Sequence, residues 1–378
     1  MRLSACIIAK DEERHVRRCL NSVIGVVDEI VLLDTGSTDR TVEYAKDLGA
    51  KTYSFSWEDD FSAAYNACIE HASGDWILLL DADEELLRES LGDLHDCVQS
   101  SDTIAYGLLR RDLRDASNLS VFTKMLQFRL FRNRPDLRFI GRIHHQFQNS
   151  LEEIAQREGM QVLTSSIEFN HYGYIDSNKR PKLLRAEKLM ALELEDRPDQ
   201  FYYLVELGRT RIALGDDSGV DLLKRAAEQA AAEDPQASAS PGQLAQLLEH
   251  VLAADVLPKG FPITREEADR IAIQRFPRAI PLLWQRALAK YKCGKFGESA
   301  RLLEKILHLA HTDDYDRLAS FAPDIMDSDA KLNLGACYAR LGKLGDALRC
   351  FDELAEDRKH GRAASVNATL IREIIDDS

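Results

Sequence analysis

The sequence lacks several features that would each point to a different class of protein. No window reaches the roughly 18 apolar residues of a membrane-spanning helix, and the opening segment MRLSACIIAKDEERH has no signal-peptide core. The seven cysteines form no CxxC pair, so we expect buried free thiols instead of a disulfide framework or a zinc site. These absences predict a cytoplasmic protein without a transmembrane segment, with peripheral attachment to the inner membrane left open.

The chain also lacks an excess of positive charge. The chain has 49 Lys and Arg residues against 63 Asp and Glu residues, which gives a formal net charge of -14. Nucleic-acid binding depends on a basic surface, so this balance argues against a nucleic-acid partner. The exception is the segment 110–142, which holds nine basic residues and three acidic ones. We expect this segment to face a diphosphate or an anionic acceptor.

In the first half of the chain, short apolar runs alternate with amphipathic segments. The predicted strands are Leu3 to Ala9, Glu29 to Leu33, Lys51 to Phe55 and Trp76 to Leu80, and the predicted helices are Glu12 to Val23, Thr41 to Leu48 and Phe61 to Ala72. This alternation predicts an α/β domain with a mostly parallel sheet and helices on both faces. Ligands of such sheets bind beyond the carboxyl ends of the strands.

From about Arg180 the strand patterns stop and helical spacing takes over. A small residue followed seven positions later by glycine occurs three times: Gly208 and Gly215, Ala287 and Gly294, Gly335 and Gly342. The third copy, LNLGACYARLGKLGDALRCF, resembles a tetratricopeptide repeat. We therefore predict an α/β domain over residues 1–178 and an all-α repeat domain over residues 179–378. The repeats could recognise a protein partner or an acceptor, or only add stability.

The segment between the first two repeats is rich in proline and serine. It runs from Ala231 to Pro262 and includes Pro235, Ser238, Ser240, Pro241 and Pro258. This composition predicts an insertion or linker around one extra helix near Gln243 to Leu252.

The motif Asp81-Ala82-Asp83 directly follows the buried run Trp76 to Leu80. Two carboxylates at positions i and i+2 on a tight turn can converge on Mg²⁺ or Mn²⁺, which prefer oxygen ligands and substrate phosphates. The alternative is an acidic start to the next helix, where the helix dipole favours negative charge. A second polar cluster, Asp34-Thr35-Gly36-Ser37-Thr38-Asp39, follows another predicted strand and, taken alone, is an ordinary strand-to-helix connection.

Three blocks together resemble family 2 glycosyltransferases of the GT-A fold: SACIIAKDEERHVRRCLNSV, DEIVLLDTGSTDRTVEYAK and NACIEHASGDWILLLDADEEL. The resemblance is close over residues 3 to 90 and looser to about residue 175. It implies a nucleotide-sugar donor and a divalent metal, Mn²⁺ or Mg²⁺. It also implies that Asp34 contacts the base, that Asp83 binds the metal and that Asp81 lies beside the ribose or the metal. Ala9, Asp11, Glu12 and Ser37 complete the expected substrate-binding set.

The later part of the resemblance supplies candidates for the remaining roles. Related bacterial enzymes have an Ile-His-Glu triplet where this chain has Ile143-His144-His145, so we expect His145, with His144 beside it, to act as the base. Glu152, Glu153 and Glu168 are substitutes. In the segment Asn170-His171-Tyr172-Gly173-Tyr174, His171 is either a further metal ligand or a packed histidine. Arg129 and Arg132, flanked by aromatic residues, are candidates for binding the leaving diphosphate.

We therefore expect an inverting glycosyltransferase whose acceptor is an envelope glycan, a lipid-linked molecule or a protein. The alternative is a non-catalytic scaffold whose repeats recruit protein partners, which the substitution at His145 favours. A nucleotidyltransferase is disfavoured, because such enzymes usually carry a glycine-rich loop where this chain has Ala9-Lys10-Asp11-Glu12.

Overall fold

The computed structural model describes residues 1–173, 175, 179–234, 237, 240–317 and 321–376. These residues form two compact units, Met1–Pro198 and Asp199–Ser378. The predicted linker residues Pro235 and Ser238, and Tyr174 of the late motif, lie outside the described residues.

The first unit is built on an eight-stranded sheet in the order β3-β2-β1-β4-β7-β6-β10-β5. Its strands are β1 (Leu3–Ala9), β2 (Glu29–Asp34), β3 (Lys51–Ser54), β4 (Trp76–Asp81), β5 (Glu84–Leu86), β6 (Thr103–Leu113), β7 (Phe122–Arg132) and β10 (Gln161–His171), and a separate small ribbon pairs β8 (Phe139–Ile140) with β9 (Gln146–Phe147). The helices are α1 (Val16–Val23), α2 (Thr41–Asp47), α3 (Phe61–Glu70), α4 (Leu91–Gln99), α5 (Leu151–Glu158) and α6 (Lys179–Asp196).

The parallel pairing expected for the first four strands is confirmed. β1 runs parallel to both β2 and β4, and β2 runs parallel to β3. β7 then lies antiparallel between β4 and β6, so the other half of the sheet is mixed. Since β1, β2 and β4 point the same way, their carboxyl ends lie along one edge, which we call the carboxyl edge.

Helices cover both faces of the sheet, as predicted. Every residue of β1 is buried. Because side chains alternate along a strand, Leu3, Ala5 and Ile7 pack with α1 in one cluster, while Cys6 and Ile8 pack with α3 in another. The central strand β1 is thus covered by helices on both faces.

The described part of the second unit is helical. Its helices are α7 (Phe201–Leu214), α8 (Ser218–Ala231), α9 (Pro241–Ala253), α10 (Arg265–Arg275), α11 (Ile280–Lys292), α12 (Phe296–Thr312), α13 (Ser328–Arg340), α14 (Leu344–Asp352) and α15 (Gly361–Asp376). The extra helix expected between the first two repeats is α9. No helix among the described residues combines the length and the apolar character needed to cross a membrane.

The three sequence repeats coincide with the helix pairs α7–α8, α11–α12 and α13–α14. The small position lets the two helices approach closely: a Cβ added to Gly208 would lie 2.9 Å from Leu223, and one added to Gly335 would lie 2.7 Å from Phe351. The glycine seven residues later follows the first helix in the left-handed region, with φ values of 85°, 74° and 73° in the three pairs. The seven-residue spacing therefore reflects a close contact between two helices and the end of the first helix.

Candidate active site

The loops that follow β1 and β2 are hydrogen-bonded to each other at the carboxyl edge. The Asp34 carboxylate accepts hydrogen bonds from the backbone N–H groups of Gly36 (3.3 Å) and Ser37 (3.1 Å). The Ser37 hydroxyl accepts one from the Asp11 N–H (2.9 Å), and the Asp11 carboxylate accepts one from the Thr38 N–H (2.7 Å). Asp11, Asp34 and Ser37 are thus brought together, although they come from two separate sequence motifs.

Ala9 and Glu12 complete this pair of loops. Ala9 is the buried last residue of β1, and its carbonyl accepts a hydrogen bond from the Thr35 N–H (2.9 Å). The Glu12 N–H donates to the Thr41 hydroxyl (2.7 Å), and the Glu12 carboxylate contacts His15 Nδ1 (2.7 Å). The five expected substrate-binding residues of these loops therefore lie close together at the carboxyl edge, in the two hydrogen-bonded loops that we call the paired loops.

Asp81 ends β4 on the same edge, and its carboxylate is held by two donors. The Tyr65 hydroxyl donates to one oxygen, and Arg129 Nη2 donates to the other (3.1 Å). Burial alone would raise the pKa of Asp81, but the charge of Arg129 and the Tyr65 hydrogen bond outweigh it and keep that pKa well below its usual value. Asp81 is therefore ionised, and its carboxylate is held in place by hydrogen bonds.

Arg129 is buried next to residues 81–84, which we call the acidic turn. Besides Asp81, it contacts Glu84 (3.4 Å), whose side chain is fully buried and accepts the Asp81 N–H (2.8 Å). Burial raises the pKa of Glu84 to about 7, although the charge of Arg129 acts in the opposite direction. The guanidinium thus serves as the counter-ion of two carboxylates.

Arg132 is not brought to this edge. It pairs with Trp76 at the start of β4, whereas Asp81 ends that strand. Its Nε donates to the Thr103 carbonyl (3.1 Å), and its guanidinium lies 4.3 Å from the Trp76 ring centroid. The antiparallel register places Arg132 opposite the first residue of β4 and Arg129 three residues closer to Asp81, which is why their spacing does not make them a pair.

Asp83 and His171 meet across the edge. Their Oδ2 and Nε2 atoms lie 3.4 Å apart, and both side chains are largely buried. The other imidazole nitrogen, Nδ1, lies 2.7 Å from Asp112 on β6. Burial alone would lower the pKa of His171, but its contacts with Asp112 and Asp83 outweigh burial and raise that pKa to about 9.

Gly173 leaves open the space between these two donor atoms. A Cβ added there would lie 2.5 Å from Asp83 Oδ2, 2.6 Å from His171 Nε2 and 3.0 Å from Lys182 Nζ. Within the described ranges, no group of three or more His, Cys, Asp or Glu side chains is arranged to hold a metal. Mg²⁺ and Mn²⁺ sites often use one or two side chains together with water and substrate phosphate, and an oxygen and a nitrogen donor facing one open space fit such a shared site.

His145 lies beside this site in an aromatic setting. Its ring centroid is 4.6 Å from that of Tyr65, which bonds to Asp81, and 4.6 Å from that of Phe139. Burial and the charge of Arg129 lower the pKa of His145 to about 3. The imidazole is therefore neutral at physiological pH. The neighbouring His144 is exposed and has a left-handed backbone, with φ of 53°.

Five residues of the site were not identified from the sequence: Tyr65, Glu84, Asp112, Gly173 and Lys182. Glu84 and Gly173 carried local signals, since Glu84 directly follows the Asp81-Ala82-Asp83 motif and Gly173 lies in the short segment that contains His171. Asp112 reaches His171 because β6 pairs with β10, and the two residues are neighbours in that register. A contact across 59 positions of the chain leaves no spacing pattern that could have revealed it.

Known proteins resemble part of the chain. The sequence model of Glycosyl transferase family 2 matches residues 4–149. A TPR repeat-containing protein of Synechococcus elongatus is 38% identical over 222 residues, which make up 57% of this chain and 53% of that protein. Glycosyltransferase SunS of Bacillus subtilis is 29% identical over 236 residues, 58% of this chain and 51% of that protein. The chain thus spans about half the length of either relative.

Among solved structures, the mannosyltransferase PcManGT of Pyrobaculum calidifontis, in complex with GDP-Man and Mn²⁺, is 18% identical. It aligns with 65% of this chain and 80% of its own, with a TM-score of 0.39. The family match itself runs from β1 past the acidic turn and through His145. Residues 4–149 thus match the sequence model of Glycosyl transferase family 2, and the helix pairs that follow resemble tetratricopeptide repeats.

Proposed function

We propose that this protein transfers a sugar from a nucleotide-sugar donor to an acceptor hydroxyl, with inversion at the anomeric carbon. The observation that carries the proposal is the opening between Asp83 Oδ2 and His171 Nε2, on the same sheet edge as the paired loops. A nucleoside held by those loops would direct its diphosphate along the edge toward that opening. The family 2 domain is consistent with this chemistry.

In this proposal the paired loops bind the donor. Asp34 contacts the base, while Ala9, Asp11, Glu12 and Ser37 form the wall of the pocket. Their mutual hydrogen bonds hold the loops in one conformation before the donor arrives, which lowers the ordering cost of binding.

Asp83 and His171 would hold Mn²⁺ or Mg²⁺, with Asp81 beside it. When bound, the metal supplies positive charge that stabilises the departing diphosphate. Lys182 Nζ, which donates to the Gly173 carbonyl (2.6 Å), adds a cation of the protein's own near the same point. Arg129 acts indirectly in this scheme, because it keeps Asp81 charged and fixed instead of reaching the diphosphate.

His145 is the proposed proton acceptor. As the acceptor oxygen bonds to the anomeric carbon, its proton must pass to a base, and a neutral imidazole has a nitrogen able to take it. A pKa of about 3 makes His145 a weak base in the free protein. An anionic donor bound beside it would raise that pKa, because negative charge favours the imidazolium. The acceptor would be an envelope glycan, a lipid-linked molecule or a protein, with the repeats as its recognition surface.

The test is a calorimetric screen of UDP-, GDP-, CMP- and dTDP-sugars with and without Mn²⁺, followed by assays of sugar release and transfer. The variants are Asp83→Asn and, as a matched control, Asp96→Asn, whose side chain is 87% exposed on α4. We expect one nucleotide class to bind with metal to the wild type and to Asp96→Asn, and to lose its metal dependence in Asp83→Asn. Failure of every donor with the wild type would contradict the proposal and favour the scaffold alternative.

A further inference from the structure

We infer that Asp112 is a positioning residue for the metal site, acting through His171. The inference rests on the proposed function, because it concerns the same Asp83 and His171 pair. Asp112 lies near the end of β6 and is 2% exposed, and the parallel pairing of β6 with β10 makes it the direct neighbour of His171. Its Oδ1 lies 2.7 Å from His171 Nδ1.

An imidazole ring can present either of its nitrogens to a ligand. When His171 is neutral, a hydrogen bond from Nδ1–H to Asp112 makes Nε2 the nitrogen that can bind a metal and also fixes the rotation of the ring. In this orientation Nε2 faces Asp83 Oδ2, with the space left by Gly173 between them. Without Asp112, the ring could rotate or bond through the other nitrogen, and the two donors would no longer face one point.

Asp112 is itself held in place. Arg110, on the same strand, forms an ion pair with it: Nη2 donates to Asp112 Oδ2 (3.2 Å), and Nε lies 2.8 Å from Oδ1. The contacts with His171 and Arg110 outweigh burial and keep the pKa of Asp112 below its usual value. The chain of contacts from Arg110 through Asp112 to His171 therefore ends at the proposed ion.

A purely structural role is the competing explanation, since Asp112 also neutralises a half-buried arginine. Glu168 provides a matched control for that role. It lies on β10, next to β6, and pairs with Lys124 (2.7 Å) and Arg111 (3.7 Å). Glu168→Gln thus removes a carboxylate from the same pair of strands, in which Asp112 and not Glu168 holds His171 Nδ1.

The experiment measures Mn²⁺ binding to the full chain, without nucleotide, from the electron paramagnetic resonance signal of the free ion in mildly alkaline buffer. The proteins are wild type, Asp83→Asn, Asp112→Ala, Asp112→Asn and Glu168→Gln, each checked by thermal unfolding in chelator. We expect Asp112→Ala to weaken Mn²⁺ binding about 10- to 100-fold. Asp112→Asn should weaken it less, because the amide oxygen still accepts Nδ1–H, and Glu168→Gln should match wild type.

A double variant tests the route of the effect. If Asp112 acts through His171, then Asp112→Ala should cost little further Mn²⁺ affinity once His171→Ala is present. Wild-type affinity in Asp112→Ala, or in Asp112→Asn should the alanine variant fail to fold, would overturn the positioning role while leaving the site intact. A comparable loss in Glu168→Gln would also overturn it. A wild-type protein that binds no Mn²⁺, or binds it as well after Asp83→Asn, would refute both the metal site and this inference.

Discussion

The two edges of the sheet both bury charged side chains, yet they treat them differently. At the amino edge, where β2 begins, Glu29 accepts hydrogen bonds from the Ser4 hydroxyl (2.6 Å), the Ser73 hydroxyl (2.8 Å) and Lys51 Nζ (2.7 Å). At the carboxyl edge, Asp83 and His171 pair with each other beside the space that a Cβ at Gly173 would occupy. A charge closed in by the protein's own donors stabilises the fold, whereas a charged pair that borders such a space can also bind a ligand.

The largest loss of Mn²⁺ binding is expected when a side chain fills the space at Gly173. Gly173→Ala would put a methyl group 2.5 Å from Asp83 Oδ2 and 2.6 Å from His171 Nε2, where an ion would have to lie. We expect Mn²⁺ binding to fall below detection in the free-ion resonance assay while the protein stays folded. Gly92→Ala on α4 is the control, because nothing lies within 4 Å of the added Cβ. Undiminished Mn²⁺ binding by Gly173→Ala would show that the ion, if bound, lies elsewhere.

Removing the buried counter-ion should be the most destabilising change at the carboxyl edge. Arg129→Met would leave Asp81 and Glu84 buried without their cation, and breaking a buried ion pair in this way costs about 3 to 5 kcal/mol. The free energy of unfolding from urea denaturation measures the loss. The double variant Arg129→Met/Asp81→Asn should recover part of it, because the ionised carboxylate that Arg129 stabilises is gone. No recovery would mean that Asp81 is not the charge that Arg129 compensates.

The stability that Glu29 contributes at the amino edge should depend on pH. Burial alone would raise the pKa of Glu29, but hydrogen bonds from Lys51, Ser4 and Ser73 outweigh it and lower that pKa from 4.5 to about 2. A depressed carboxyl pKa stabilises the fold above the unfolded value, so about 3 kcal/mol should be lost as the pH falls from 4.5 to about 2.

Glu29→Gln is the corresponding variant. Its unfolding free energy should depend less on pH than that of wild type over this interval, and its Mn²⁺ affinity at neutral pH should be unchanged. Chemical denaturation at a series of pH values gives both curves. Parallel curves for the two proteins would contradict the role given to Glu29, and a change in Mn²⁺ affinity would contradict the separation of the two edges.

The sequence predicted the parts of this arrangement that depend on neighbours in the chain. Apolar runs ending at Ala9, Leu33 and Leu80 located the strands, and the seven-residue spacing located three helix pairs, because both patterns arise from local geometry. The contact of Asp112 with His171 depends on how β6 pairs with β10, and burial at Arg129 depends on three strands at once. Register and depth within a sheet are set by the whole fold, so the role of each arginine could not be predicted from the basic segment.

The smallest loss of stability is expected from a change at Arg132, which lies three residues after Arg129 on the same strand. Its guanidinium bonds to the carbonyls of Thr103 and Ser100 and lies over the Trp76 ring. Arg132→Met keeps an apolar stem on the ring and removes hydrogen bonds to neutral groups, so the loss should be about 1 to 2 kcal/mol. Mn²⁺ and donor binding should be unchanged. If urea denaturation gave equal losses for Arg132→Met and Arg129→Met, the carboxylates around Arg129 would not be the source of its importance. The dependence of these carboxylates on a buried cation would then have to be abandoned.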